Sequence, residues 1–395
     1  MLELPVADRC RLSGEPLADA PVLLELADCP LPGIYPDEID ESLALRSPLR
    51  VVRAPDSGLV QLAHRFDSSR YADYGFAADT SDAYRAHLEW FAGELHAGLA
   101  PGGPVLEVGC GDGTLLELLR GLGHHDVLGI DPGRAAAAQA TARGVIHGFF
   151  PHDLPPHKRG VRYERVVLRH VLEHIETPRE FVAELAACLA PGGELWIEVP
   201  DLDATLATGR WSNFYQLHCN YFDADTLDRL AATAGLRCVA GTVVDVFGGS
   251  LLRRYRRGSS APGGRSQREA RAAEGFVDFQ DRLAELAASL PERSAGYGAA
   301  ERTALTLGAC PALAARLSAL HDGNTLLHGR HLAGTALEIR SPDELYEEAP
   351  DAVVLFAVSH RDEILREWRR RLAPGTQVAV ADGDCALVTL ESLGG

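Results

Sequence analysis

Lysine is almost missing from this chain of 395 residues: it occurs once, at Lys158, and arginine carries nearly all the positive charge. With alanine abundant, the bias reads as a GC-rich coding sequence, so an arginine where a lysine would serve carries little meaning. Positive charge is also scarce overall. The formal net charge is −18, so the global field repels phosphate backbones and argues against nucleic acid as a partner. Long apolar runs are missing too, and the opening "MLELPVADRC" lacks the basic and apolar regions of a secretory leader. The expectation is a cytoplasmic protein with no membrane partner. The cysteines Cys10, Cys29, Cys110, Cys188, Cys219, Cys238, Cys310 and Cys385 include no CxxC pair. They read as free thiols, with no complete zinc site from spacing alone.

What is present describes a folded chain with several parts. Hydrophobic residues make up 46% and charged residues 24%, ordinary values for a globular protein long enough for two or three domains. Residues 1–70 hold turn clusters such as "CPLPGIYPDE" beside short apolar runs ("LRVV", "GLVQLAH"), which reads as a small irregular lobe. "SDAYRAHLEWFAGELHAGL" has the apolar spacing of a helix. From about 100 to 250, buried-strand runs ("PVLEVG", "DVLGID", "RVVLRH", "ELWIEVP") alternate with helical ones ("GTLLELLRGL", "PGRAAAAQATAR", "PREFVAELAACLA"). That alternation implies a parallel sheet covered on both faces. "RRYRRGSSAPGGRSQ" reads as a solvated linker. A helix over about 266–290 and the runs "AGYGA", "NTLLHG", "AVVLFAV" and "TQVAVA" then suggest a second α/β unit. The expected organisation is 1–70, 71–255 and 266–395, in the α/β class.

The sharpest local pattern is "VLEVGCGDGTLLELL", a strand ending in Gly109 with Gly111 and Gly113 shaping a tight turn before a helix. The GxGxG pattern is weak alone, because many nucleotide folds use such turns. Twenty residues past that turn, Asp131 ends the next strand in "VLGIDPG", where a carboxylate can accept ribose hydroxyls or simply cap a helix. There is no GxGxxG, the dinucleotide fingerprint. Instead, "LRHVLEHIETPREFVAEL" followed by "CLAPGGELWIEVPD" resembles the fourth and fifth strands of class I S-adenosylmethionine-dependent methyltransferases. The resemblance implies S-adenosylmethionine as cofactor, bordered by Glu107, Gly109, Gly111, Gly113, Asp131 and the stretch from His170 to His174. Glu173 and His174 read equally as an exposed pair at a helix start.

A narrower resemblance covers essentially the whole chain, through "RYADYGF", "LEVGCGDG", "RHVLEHI", "LAPGGELWIEVPDL", "FYQLHCNYF", "GGSLLR", "AGYGA" and "PDAVVLFAVSHRDEI" in order. These are similar to the sugar C-methyltransferases of antibiotic deoxysugar pathways. The family has a zinc-binding N-terminal lobe, a methyltransferase middle domain and a Rossmann-like C-terminal domain. It implies a nucleotide-linked keto sugar as partner, methylated at a carbon beside the carbonyl through an enolate. Such chemistry needs a base and a group to stabilise the enolate oxygen. By the resemblance, His218 is the base and Tyr215 a hydrogen-bond donor to the keto oxygen. Tyr74, or Tyr71, would share the pocket, and Tyr221, Ser250 and Arg302 would meet substrate. From composition alone, "FYQLHCNYF" reads rather as an aromatic core strip with a satisfied histidine.

Three departures stand out. The family's two CxxC pairs read here as "CRLS" and "APDS", leaving Cys10 with Ser13, Ala54 and Ser57, so no metal is expected in the lobe. The family's glutamate before the base is Leu217, and a histidine before "GGS" is Phe247. These losses leave open an epimerase or isomerase using the same enolate, or a non-catalytic homologue. A monomer or weak dimer is expected.

Overall fold

The computed structural model describes residues 4–65, 82–139, 142–246, 248–259 and 272–392. Tyr71, Tyr74, Phe247 and most of the expected linker lie outside the described residues.

Three sheets organise the chain. In the first, β1 (Val22–Pro30) and β2 (Arg46–Arg53), joined through helix α1 (Ile39–Ala44), pair antiparallel, and β2 pairs with β3 (Val60–Leu62). Leu24, Leu49, Val51, Val60 and Leu62 are buried along it.

Helix α2 (Asp82–Ala97) leads into the second sheet. Its elements are β4 (Val105–Val108), α3 (Thr114–Gly121), β5 (Val127–Asp131), α4 (Arg134–Gln139), β6 (Val145–His147), β7 (Tyr163–Arg169), α5 (Pro178–Ala187), β8 (Leu189–Pro200) and α6 (Leu202–Thr208). After the short strand β9 (Asn220–Tyr221) come α7 (Ala224–Thr233), β10 (Leu236–Val244) and β11 (Ser250–Arg257). The strand order is β10-β11-β8-β7-β4-β5-β6, with β6, β5, β4, β7 and β8 parallel and the last two antiparallel. Val105, Leu106, Glu107 and Val108 are buried on both faces of β4, as a strand covered by helices on each side requires. Helix α3 turns Leu115, Leu116 and Leu119 onto that sheet. The chain reverses direction across the sheet between β4 and β7, so loops leaving their carboxyl ends frame a crevice.

The third sheet follows α8 (Ala272–Ser289). It comprises β12 (Ser294–Tyr297), β13 (Leu320–His321), β14 (Ile339–Arg340), β15 (Ala352–Leu355), β16 (Gln377–Val380) and β17 (Leu387–Thr389), in the order β14-β13-β12-β15-β16-β17. Only β17 is antiparallel to its neighbour, and α9 (Glu301–Ala309), α10 (Pro311–Ala314), α11 (Pro342–Glu348) and α12 (Arg361–Arg371) connect the strands. "NTLLHG" is a turn and not a strand. Asp322 Oδ1 accepts Asn324 N–H at 2.8 Å and Asn324 Oδ1 accepts Leu326 N–H at 3.1 Å, two side-chain turns that outcompete an extended run.

Strand β9 joins neither of the large sheets. It pairs with β3, Val60 opposite Tyr221 and Gln61 opposite Asn220, and so completes the first sheet from more than 150 residues away. One apolar cluster then runs from β1, β2 and β3 through Trp211 and Phe214 to α8 and the third sheet.

Candidate functional site

The turn after β4 is built for close approach. Gly109, Gly111 and Gly113 all have positive φ, and a Cβ at Gly109 would overlap the Val171 side chain. The turn is tied on both sides. Asp131, ending β5, accepts Gly111 N–H at 3.0 Å and Gly133 N–H at 2.7 Å, one on each carboxylate oxygen. Asp112 is paired with Arg143 at 2.9 Å and accepts Thr114 Oγ1–H at 2.8 Å. The Asp131 carboxylate makes a side-chain turn into α4 and stays partly buried at the crevice.

Beneath the turn lies a charge network that the strand pattern hid. Glu107 is fully buried and its Oε1 is 2.7 Å from Arg169 Nη2, while Arg169 Nη1 donates to the Tyr84 hydroxyl at 3.1 Å. The structure therefore places Glu107 inside the sheet against Arg169 and not on the open side of the turn. Burial raises the Glu107 pKa, opposed by the guanidinium. Next to it, Glu198 in β8 sits 2.9 Å from His87 Nε2 and 3.6 Å from His170 Nε2. His170 has left-handed backbone, φ 51, and lies between Glu198 and Glu173. Although burial alone would lower its pKa, hydrogen bonds to the two carboxylates raise it to about 9, so it is cationic at neutral pH. Ser250, fully buried, accompanies it at 3.4 Å from Nε2.

The segment from Trp211 to Phe222 folds back over this end of the sheet. Tyr215, His218 and Tyr221 are all buried. The Tyr215 hydroxyl is 2.6 Å from His218 Nε2, and His218 Nδ1 is 3.2 Å from the Asn213 carbonyl, which fixes the proton on Nδ1 and leaves Nε2 as the acceptor. His174 turns its ring onto His218, centroids 4.8 Å apart, with Nδ1 2.9 Å from the Leu217 carbonyl. Burial, then the charges of His174, Arg302 and His170, push the His218 pKa well below 6.5. Burial and Glu301 hold the Tyr215 phenol well above its usual value. Tyr221 uses its hydroxyl on the Tyr215 backbone, at 3.2 Å from its N–H and 3.3 Å from its carbonyl. Glu173, His174 and His218 place ligand-type atoms within 4.8 Å of one another, a set that could hold a metal ion. The Tyr215 hydroxyl already lies on the His218 Nε2 lone pair.

From the third sheet, α9 brings Glu301 and Arg302 to the same place. Arg302 donates from Nη1 to Ser359 Oγ at 3.1 Å and also acts on both Tyr215 and His218. In the first lobe, the turns holding Cys10 and Ser57 face each other with Sγ and Oγ 3.1 Å apart, and Ala54 is fully buried beside them. A thiol, a hydroxyl and a methyl do not fit a four-ligand zinc site.

Sequence reasoning missed Arg169, Glu198, His87 and Glu301. Only the charged residues standing inside or ending apolar strands, in "VVLRH" and "ELWIEVP", could have hinted at the first two.

Residues 79–240 match the methyltransferase domain family, and residues 270–381 match the C-methyltransferase C-terminal domain family. The chain is similar to C-methyltransferase NovU of Streptomyces niveus, 27% identical, over 98% of each chain. It is 31% identical to the tRNA U34 carboxymethyltransferase of Trichlorobacter lovleyi over 42% of this chain, spanning 55% of that relative's length. Among solved structures, the 1,6-didemethyltoxoflavin-N1-methyltransferase of Burkholderia thailandensis covers 53% of this chain and 96% of its own, with 19% identity and a TM-score of 0.39.

Proposed function

Because the chain is an S-adenosylmethionine-dependent C-methyltransferase, we propose that its acceptor is a nucleotide-linked keto sugar deprotonated beside the carbonyl by His218. The observation that carries this reading is the buried Tyr215–His218 pair, 2.6 Å apart, set beside His174 at the carboxyl end of β7. A strong carbon base is not needed when the developing oxyanion is stabilised, and a phenol held protonated supplies that donor.

The crevice residues fit the cofactor. Three glycines expose backbone at the end of β4, and Asp131 keeps lone pairs for hydroxyls beyond its two backbone bonds. Bound there, S-adenosylmethionine supplies an electrophilic methyl on a sulfonium sulfur. His218 Nε2 takes the acceptor's proton, Tyr215 turns its O–H from the imidazole to the carbonyl oxygen, and Arg302 faces a diphosphate. Replacing Asp131 by Ala is expected to raise the dissociation constant for S-adenosylmethionine roughly 10- to 100-fold, consistent with one or two charge-assisted hydrogen bonds. Calorimetry checks this, and a change below threefold would remove Asp131 from the cofactor site.

The reaction is tested by incubating the protein with S-adenosylmethionine and a panel of nucleotide-linked 4-keto sugars in deuterated water. Added methyl mass on one sugar is the expected result; deuterium uptake without methyl mass would mark an isomerase, and neither signal would refute the acceptor. The first lobe is proposed to fold without zinc, its turns held by Cys10, Ser57 and apolar packing. Metal analysis is expected to find well below one zinc per chain, and one tight equivalent would overturn this.

A further inference from the structure

Arg11 reaches out of the first lobe toward the second sheet, and only 4% of its side chain is exposed. A guanidinium has five N–H donors, and here each of them meets an acceptor. Nε and Nη2 grip Glu176 Oε2 at 3.0 and 2.9 Å, and Nη2 also donates to the His64 carbonyl at 2.9 Å. Nη1 donates to the Leu62 and Cys219 carbonyls at 2.8 and 3.2 Å. The backbone is held as well. Arg11 N–H donates to Gln61 Oε1 at 2.8 Å, where Gln61 pairs with Asn220 across β3 and β9. Two of these partners flank the proposed chemistry: Glu176 follows His174 by two residues, and Cys219 is next to His218. They also bind each other, the Cys219 thiol donating to Glu176 Oε1 at 3.2 Å, while Asn220 Nδ2 donates to the Ile175 carbonyl at 2.8 Å. One guanidinium thus fastens the loop after β7 and the segment entering β9 to the same strand, β3.

We propose that Arg11 is a positioning residue for the Tyr215–His218–His174 cluster, fixing from the first lobe how the two chain segments that carry the cluster sit against each other. The proposal rests on the reading of His218 as the base given above. A guanidinium is planar and its donors form one rigid fork, so its acceptors change their mutual places only by breaking bonds. With the fork saturated, the rings of His174 and His218 stay 4.8 Å apart and His218 Nδ1 stays 3.2 Å from the Asn213 carbonyl. A lysine ammonium has three donors around a point. It cannot serve Glu176 and the carbonyls of Leu62, His64 and Cys219 together. Arg11 therefore acts on the reaction through its neighbours, where a displacement of about 1 Å in a reacting group costs roughly 100-fold in rate.

The experiment compares Arg11→Met and Arg11→Lys with Arg9→Ala, a change in the same lobe to an exposed arginine that donates to the Gly14 carbonyl. Both Arg11 variants are expected to lower kcat for methyl transfer about 30- to 100-fold, with KM for the sugar and the dissociation constant for S-adenosylmethionine within about twofold of native. Arg9→Ala is expected to keep the native rate. A loss confined to KM, or an equal loss in Arg9→Ala, would overturn the proposal. Arg11→Lys keeps a positive charge opposite Glu176, so it decides the matter if Arg11→Met does not fold. A readout independent of substrate is the ring-nitrogen resonance spectrum of His218 in the ligand-free protein, assigned with His218→Asn. The native ring is expected to carry its proton on Nδ1 alone, and the Arg11 variants to show a mixture of the two tautomers. An unchanged tautomer in the variants also overturns the proposal. If the native protein neither exchanges nor methylates any sugar, the acceptor reading falls and this spectrum alone decides Arg11.

Discussion

Replacing His218 by asparagine is expected to reduce methyl transfer roughly 100- to 10,000-fold, the range for loss of a positioned general base, and to abolish deuterium exchange into the acceptor. Asparagine keeps a polar side chain near the Asn213 carbonyl and the Tyr215 hydroxyl, so folding is preserved while the titratable nitrogen is lost. Mass spectrometry in deuterated water reads both effects. Exchange persisting within tenfold of the native rate would move the base elsewhere, with His174 the first candidate. The pH dependence has a definite sign. The folded-state pKa of His218 lies well below 6.5, so the neutral, proton-accepting form dominates through neutrality and the acid limb of the rate falls well below pH 6.5. The unfolded chain takes up that proton near the usual value of about 6.5. It therefore binds more protons than the folded chain in acid, and stability contributed by neutral His218 is lost as pH drops below that value.

The second large effect is structural. Arg169→Met is expected to cost about 3–5 kcal/mol of folding stability, the penalty for removing one partner of a buried ion pair. Glu107 is fully enclosed, its Oε2 has no hydrogen-bond partner among the described residues, and Arg169 alone answers its Oε1, at 2.7 and 3.2 Å. Arg169 also lies 5.3 Å over the Phe91 ring, and methionine keeps much of that apolar contact. Adding Glu107→Gln to Arg169→Met is expected to return part of the loss, because a neutral amide no longer strands a charge. Urea unfolding at pH 7 measures both, and a loss under 1 kcal/mol for Arg169→Met would show the pair to be dispensable.

Much of this molecule is written in local pattern. Apolar runs of four to eight residues gave the strands β4, β5, β7, β8, β15 and β16, and the glycine spacing gave the turn that Asp131 ties down. Those features depend on neighbours in the chain, which is why periodicity reaches them. The Tyr215–His218–His174 cluster depends on contacts across more than 40 residues. His174 and His218 meet because the loop after β7 and the segment after α6 converge, and Glu301 arrives from another sheet. No spacing rule encodes such a meeting. Glu107 and Arg169 were legible only as charges in apolar strands, their pairing being a matter of register between β4 and β7. The resemblance to sugar C-methyltransferases supplied Tyr215 and His218, and it also marks Leu217 as a departure from the family pattern.

The pairing of β9 with β3 bears on how this protein could be cut, grafted or inherited. The middle sheet looks like a portable module, complete with its glycine turn. The segment that carries Tyr215 and His218, however, is clamped through Asn220 and Tyr221 to Gln61 and Val60 of the first lobe. A fragment beginning at α2 would carry the cofactor crevice but leave that segment without its strand partner. The first lobe thus serves as a jig for a segment that lies far from it in the chain.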